Sequence, residues 1–153
     1  MDQIDRNILA ILQREGRTSV TDLATQIGLS TSACSRRLHD LHHDGTIVGY
    51  HADVDPATLG LAFEVLASIT LQQGDAETVT QFEHTLTEIP EVRHAERLFG
   101  DPDYLIRIHT RDIDHYQQLR DTHLATLPGV QKLTSTIVMR RIVDQRPLPT
   151  EYA

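Results

Sequence analysis

Two carboxylates and a phenol fall close together in the stretch Gly100-Asp101-Pro102-Asp103-Tyr104. Such a group can hold a small zwitterion, because an ammonium needs an acidic partner and a carboxylate needs backbone N–H donors. The same residues are also ordinary turn chemistry: Gly permits positive φ, Pro sets φ, and Asp bonds nearby backbone. On either reading they form the tip of an antiparallel hairpin, since alternating segments flank them at 92–99 and 104–109.

A second chemically rich group is Ser32, Ser35, Arg36, Arg37 and His39. Ser30 or Thr31 caps a helix here that runs to about residue 44, and Gly45 stops it. At about 100° per residue, Cys34, Leu38 and Leu41 share one side of that helix. Ser32, Arg36, His39, Asp40 and His43 share the other, with Ser35 and Arg37 on its flanks. Arg can read guanine in a major groove, and Ser can bond bases or phosphates. A solvated helix face is the alternative, and Asp40 counts against a phosphate contact. Cys34 lies on the apolar stripe and reads as a small buried side chain rather than a nucleophile. His39, His42 and His43 have helical spacing suited to a metal, but no further ligand lies nearby, so no metal site is expected.

The elements that must position these residues fall into two modules. Apolar residues at Ile4, Ile8, Ile11 and Leu12 mark a helix over 2–15, and Val20, Leu23, Ala24 and Ile27 mark a second over 20–27. Gly28-Leu29 turns the chain into the third helix, which makes a helix-turn-helix arrangement. Residues 47–54 alternate partly and read as a strand leaving this module, and the turn-rich run 55–60 follows. The domain limits expected are 1–50 for the helical module, 51–62 for a connecting strand and linker, 63–143 for the second module, and 144–153 for an irregular tail.

In the second module Phe63, Val65, Ala67, Ile69 and Leu71 alternate along a strand. A turn at 72–75 leads to a helix lined by Val79, Phe82, Leu86 and Ile89 and ended by Pro90. The hairpin follows, then a helix carrying Ile113, Tyr116, Leu119, Leu124 and Leu127, then a strand over 130–139. The order βαββαβ predicts an α+β, ferredoxin-like layer of two helices on an antiparallel sheet. Leu66, Ala95, Leu105, Leu133 and Ile137 are expected on the opposite sheet face, an apolar patch that pairing of two sheets would bury.

Composition narrows the function. The formal charge is −8, yet residues 1–50 carry five Arg against six acids, so the helical module is nearly neutral. That balance argues against indiscriminate nucleic-acid binding and leaves a DNA contact open to the first module. A single cysteine excludes an internal disulfide. The longest apolar stretch, 59–71, is interrupted by Glu64 and is too short to span a bilayer, so a cytoplasmic location is expected.

The motifs together resemble one family along essentially the whole chain. Ile4-Asp5-Arg6-Asn7-Ile8-Leu9, Gly16-Arg17, Leu23-Ala24, Gly28-Leu29-Ser30, Arg37-Leu38 and Gly45-Thr46-Ile47 resemble the N-terminal module of the Lrp/AsnC (feast/famine) transcriptional regulators. Gly100-Asp101-Pro102-Asp103-Tyr104-Leu105 and Leu127-Pro128-Gly129-Val130 are similar to signature positions of that family's ligand-sensing domain. The resemblance implies a winged helix-turn-helix joined to a ferredoxin-like domain for sensing and oligomerisation. It implies dimers through the sheet faces, assembly to octamers, and an amino-acid effector where two dimers meet. Carried onto this sequence, the effector site takes Leu98, Gly100, Asp101, Asp103 and Tyr104, with Leu127, Thr134, Thr136 and Val138 opposite. Pro102 stands where many members have a more flexible residue, and Thr136 where some have an aromatic.

The function expected is a regulator of amino-acid metabolism or transport that binds a semi-palindromic operator and answers to an amino acid, with a branched-chain side chain favoured by Leu98, Leu127 and Val138. No cofactor and no catalytic residue is expected. Two alternatives share the fold or the DNA partner. Some tetrapyrrole-processing decarboxylases resemble the same two modules and use His and Arg, here represented by nine His and by Arg93, Arg97 and Arg107. A nucleoid-type architectural protein would bind DNA with little sequence preference, against which the net charge counts.

Overall fold

The computed structural model describes residues 1–72 and 76–151. Its backbone divides into two compact units, one of residues 1–53 with the C-terminal segment from Ile142, the other Val54–Arg141. The first unit holds three helices, α1 (Gln3–Leu12), α2 (Val20–Ile27) and α3 (Thr31–His43). Each begins on a side-chain cap. Asp2 and Asp5 form a reciprocal capping box on α1, Ser19 caps α2, and Ser30 caps α3. Gly28 ends α2 at φ 71°, a left-handed conformation that lets the chain reverse into α3 within two residues. Ile8, Leu23, Ala24, Cys34 and Leu41 form the buried core, with Ile4, Ile11, Leu12, Val20 and Ile27 packed against it.

Two expectations for this unit are corrected. Residues 47–54 form no strand, and no β-wing appears among the described residues of the helical unit. An alternating run becomes a strand only when another strand satisfies its backbone, and this one has none beside it among the described residues. Val48 accordingly stands 97% exposed. The tail is irregular as expected, but it is not detached. Gln13 of α1 donates from Nε2 to the Leu148 carbonyl at 3.2 Å and accepts the Leu148 N–H at 2.7 Å, which ties the tail to the helical unit.

The second unit contains β1 (Phe63–Leu71), α4 (Ala76–Thr87), β2 (Val92–Arg97), β3 (Tyr104–Thr110), α5 (Ile113–Thr122) and β4 (Val130–Ile137). Of the turn expected at 72–75, residues 73–75 lie outside the described residues. The sheet order is β2-β3-β1-β4 with every pair antiparallel, the ferredoxin-like arrangement. Val65, Ala67 and Ile69 of β1 pair with Ile108, Ile106 and Tyr104 of β3 and face the helices, where Phe82, Leu86, Tyr116, Leu119 and Leu124 complete the core.

The same register corrects the apolar patch expected on the other face. Leu133 pairs with Ile69, Ile137 with Val65, and Ala95 with Ile106, so all three share the helix-facing side. Only Leu66 and Leu105 of the expected set lie on the outer face. The remainder of that face is polar: Glu64, Ser68, Thr70, His94, Glu96, Arg107, His109, Lys132, Thr134 and Thr136. The alternation of β1 is as expected; the phase of β2 and β4 relative to it is what differs. A register shift between Val92 and His94 sets the phase of β2.

Gly129 joins the 3-10 turn Leu124–Thr126 to β4 at φ 73°, and a Cβ there would sit 2.7 Å from the Thr78 Cγ2 on α4. Gly129→Ala therefore combines backbone strain with a clash, and should lower stability by about 1–3 kcal/mol in denaturant unfolding. Gly28→Ala, at open space but positive φ, should cost about 1–2 kcal/mol, the smaller penalty of strain alone.

Candidate nucleic-acid interface and hairpin turn

The outward face of α3 follows from its inward one. Burial of Cys34 and Leu41 leaves Ser32, Ser35, Arg36 and His39 exposed. Arg36 makes no salt bridge among the described residues, so its guanidinium is available to a ligand. The Ser32 hydroxyl lies 3.2 Å from that of the capping Ser30, and the His39 ring lies 6.2 Å from His43. Asp40 is exposed on the same helix.

Arg37 is different from its neighbours. Its Nη1 donates to Asp2 Oδ2 and to Asp5 Oδ1, both at 2.7 Å. Those carboxylates are the two halves of the α1 capping box, so Arg37 clamps α3 to the first turn of α1. Hydrogen bonds to Asp5 and Asp2 hold the guanidinium pKa above its ordinary value, and the Asp5 N–H and the Arg37 pair hold that of Asp2 below. The clamp was missed in the sequence because its two ends lie more than thirty residues apart. Cys34 is buried, and burial raises its thiol pKa, which suits a packing residue. Among the described residues no three His, Cys, Asp or Glu come together as a metal set.

The hairpin turn is fastened to the end of β1. Asp103 accepts the Leu71 N–H on Oδ2 at 2.7 Å, its carbonyl accepts the Leu98 N–H at 2.7 Å, and Asp101 Oδ1 accepts the Thr70 hydroxyl at 3.3 Å. The Asp101-Pro102 peptide is cis, and Gly100 has φ 151°. Tyr104 turns inward. It is 3% exposed, its ring centroid lies 4.6 Å from that of Phe82, and its hydroxyl donates to Glu83 Oε1 at 2.7 Å. Burial, with the Glu83 carboxylate, pushes the phenol up to about 12, so it remains a donor. Leu98 is half exposed, and the ring of Phe99 stands wholly in solvent.

The opposite half of the expected effector site lies elsewhere in the chain. Leu127 is a core residue, 5% exposed. Thr134 and Thr136 sit on the outer sheet face opposite Ser68 and Leu66. Val138 follows β4 and donates its N–H to the Glu64 carbonyl at 3.0 Å. Glu64 and Leu71 are near opposite ends of β1, about 23 Å apart at strand rise. A single chain therefore brings Asp101, Asp103, Leu98 and Gly100 together, and holds Val138 at the far end of the sheet.

A polar cluster occupies that far end. Glu64 accepts from Arg107 Nη1 and, at 3.0 Å, from Arg141 Nε, while Arg141 Nη2 lies 3.3 Å from His109 Nε2. His109 is 7% exposed; its buried Nδ1 makes no hydrogen bond of good geometry among the described residues, and the ring has only a loose bond to the Leu61 backbone. Because Nε2 faces an arginine donor, the ring proton belongs on Nδ1. Burial lowers the His109 pKa, the Glu64 charge and a bond to the Leu61 backbone partly offset this, and both arginines lower it further. Burial raises that of Glu64, but the bonds and charges of Arg141 and Arg107 outweigh it and hold the carboxyl low. The cluster had one trace in the sequence, the single acid within the apolar run of β1.

Residues 1–42 match the AsnC-type helix-turn-helix domain, and residues 64–148 match the Lrp/AsnC ligand binding domain. The chain is 34% identical over 151 residues to the DNA-binding transcriptional activator DecR of Escherichia coli strain K12, covering 99% of each. It is 34% identical to the leucine-responsive regulatory protein of Klebsiella pneumoniae, covering 97% of this chain and 90% of that protein. Among solved structures, a transcriptional regulator of Neisseria meningitidis in complex with L-Met superposes with a TM-score of 0.94 at 27% identity, over 99% of this chain and 98% of that one.

Two predictions follow from these contacts. If Arg37 is a clamp, Asp5→Asn and Arg37→Ala should weaken DNA binding alike and leave the slope of log affinity against log salt unchanged. A lost phosphate contact would instead lower that slope by about one in the arginine variant alone. For the cluster, the lowered His109 pKa means that the unfolded chain takes up its proton first. Stability should fall as pH drops below 6.5, and that of Glu64 should add a further loss below 4.5. His109→Gln should flatten the first phase of a pH series of unfolding curves and leave the second.

Proposed function

The chain belongs to the Lrp/AsnC family, and from that premise we propose that it is a sequence-specific DNA-binding transcriptional regulator whose assembly or DNA affinity answers to an amino acid. The observation that carries this reading is the outer face of α3, where Ser32, Ser35, Arg36 and His39 are exposed together and Arg36 makes no salt bridge among the described residues. Arg36 reads a base, and the hydroxyls bond bases or phosphates. The targets are genes of amino-acid metabolism or transport. The protein acts as a dimer on a semi-palindromic operator, with octamers as the higher assembly.

For the effector, the turn supplies backbone N–H groups to the carboxylate, and Asp101 or Asp103 supplies the acidic partner for the ammonium. Leu98 on one copy and Thr134, Thr136 and Val138 on another complete the site, which accounts for their separation within one chain. Leu127 and Tyr104 support it from the core. An apolar amino acid is the class proposed, in keeping with a relative named for leucine and a solved neighbour that holds L-Met.

The reading as a regulator rather than an enzyme has support in the arginines a tetrapyrrole-type substrate would need. Arg97 lies 3.5 Å from Glu83, and Arg107 is paired with Glu64.

Selection of bound sequences from random duplexes, repeated with each amino acid, tests the whole proposal. Arg36→Ala should then cost about 1–3 kcal/mol at the selected operator and relax the preference at one position. In thermal shift, an effector at 100 times its dissociation constant should add about 2.7 kcal/mol of stability. No shift with any amino acid removes the sensing role.

A further inference from the structure

We propose a second amino-acid site, separate from the hairpin turn, in the groove between the start of α5 and the connection from α4 to β2. It rests on the reading of the protein as an amino-acid-responsive regulator. The groove has a cavity volume of about 310 Å³ and a floor of Ile89 and Leu119, exposed by 6% and 5%. Its walls carry Glu88, Glu91, Arg111 and His115.

The charges in this groove are arranged but not cancelled. Arg111 donates its backbone N–H and its Nε–H to His115 Nδ1, both at 3.4 Å, and makes no salt bridge among the described residues. Its two terminal nitrogens are left for a carboxylate. His115 Nε2 lies 3.4 Å from Glu91 Oε1, so the imidazole is a spacer, accepting from the guanidinium on one side and donating to a carboxylate on the other. Glu88 lines the same groove, and its carboxylate has no partner among the described residues. A cation and an anion thus border one apolar floor without pairing with each other.

That pattern selects a class of ligand. Two carboxylates beside one guanidinium repel phosphates and other polyanions, and the guanidinium repels polyamines. A free α-amino acid satisfies both signs, with its carboxylate on Arg111, its ammonium on Glu88, and its side chain over Ile89 and Leu119. The site is distinct from the turn. Arg111 follows the last residue of β3 and Tyr104 is the first, so about 23 Å of strand separates them.

Equilibrium dialysis of the full chain with each radiolabelled proteinogenic amino acid tests the proposal in four proteins: wild type, Asp103→Asn, Arg111→Ala and Glu88→Gln. Arg111 and Glu88 are exposed, and circular dichroism melts of their variants serve as the folding control. The expected result is at least one amino acid that Asp103→Asn still binds and whose affinity falls about tenfold or more in Arg111→Ala and in Glu88→Gln. If every amino acid bound by wild type is lost in Asp103→Asn, or is retained at full affinity in the groove variants, the groove is not a site. If none binds wild type at all, both the groove and the effector reading fail, while operator binding by the unliganded protein still tests the regulator reading by itself.

Discussion

The pleat of β1 is the constraint on which the second unit depends. Val65, Ala67 and Ile69 are fully buried on one side, and each hydrogen-bonded neighbour must share its phase. A slip by one residue would turn these three outward and bring Glu64, Leu66 and Ser68 into the core, burying a carboxylate that is held here by two arginines. The apolar alternation of β1 thus decides which side chains of β2, β3 and β4 meet the helices. It also decides which side chains are offered to another molecule.

This has consequences for the hairpin. Tyr104 and Asp103 are consecutive, so the pleat sends them to opposite sides. The phenol goes to the core and anchors on Glu83; the carboxylate stays at the sheet edge and anchors on the Leu71 N–H. A turn pinned at both ends presents Leu98, Gly100 and Asp101 in a preorganised form, which reduces the ordering cost of binding there. The outer face that results is polar, with Leu66 and Leu105 beside the Glu64–Arg107–Arg141 cluster. Contact through that face would set charged groups against another copy, where complementarity governs partner choice more than affinity.

The helical unit depends on a smaller device of the same kind. Capping residues start all three helices, and one arginine on α3 closes on the capping box of α1. The groups that face outward on α3 are then fixed in rotation by what Arg37, Cys34 and Leu41 do on the other sides. Arg36 and Arg37 are adjacent and chemically alike, yet among the described residues one makes no salt bridge and the other is held. Their difference is about 100° of helix.

The amino-acid sequence by itself determined the elements and their order. The helix caps, the glycine and proline stops and the alternation of β1 are local signals, and each acts within a few residues of itself. The hairpin and the outer face of α3 were legible for the same reason. Relations between distant residues were decided by the tertiary structure. The clamp of Arg37 on Asp2 and Asp5, the anchoring of Asp103 on β1, the core position of Tyr104 and the Glu64 cluster all join segments brought together only by folding. The placement of Ala95, Leu133 and Ile137 beside the helices was of this kind too: a strand's alternation is written in its own residues, but its phase comes from the neighbour it bonds to. The run 47–54 shows the converse, since alternation without a neighbouring strand leaves its backbone to solvent and forms no sheet.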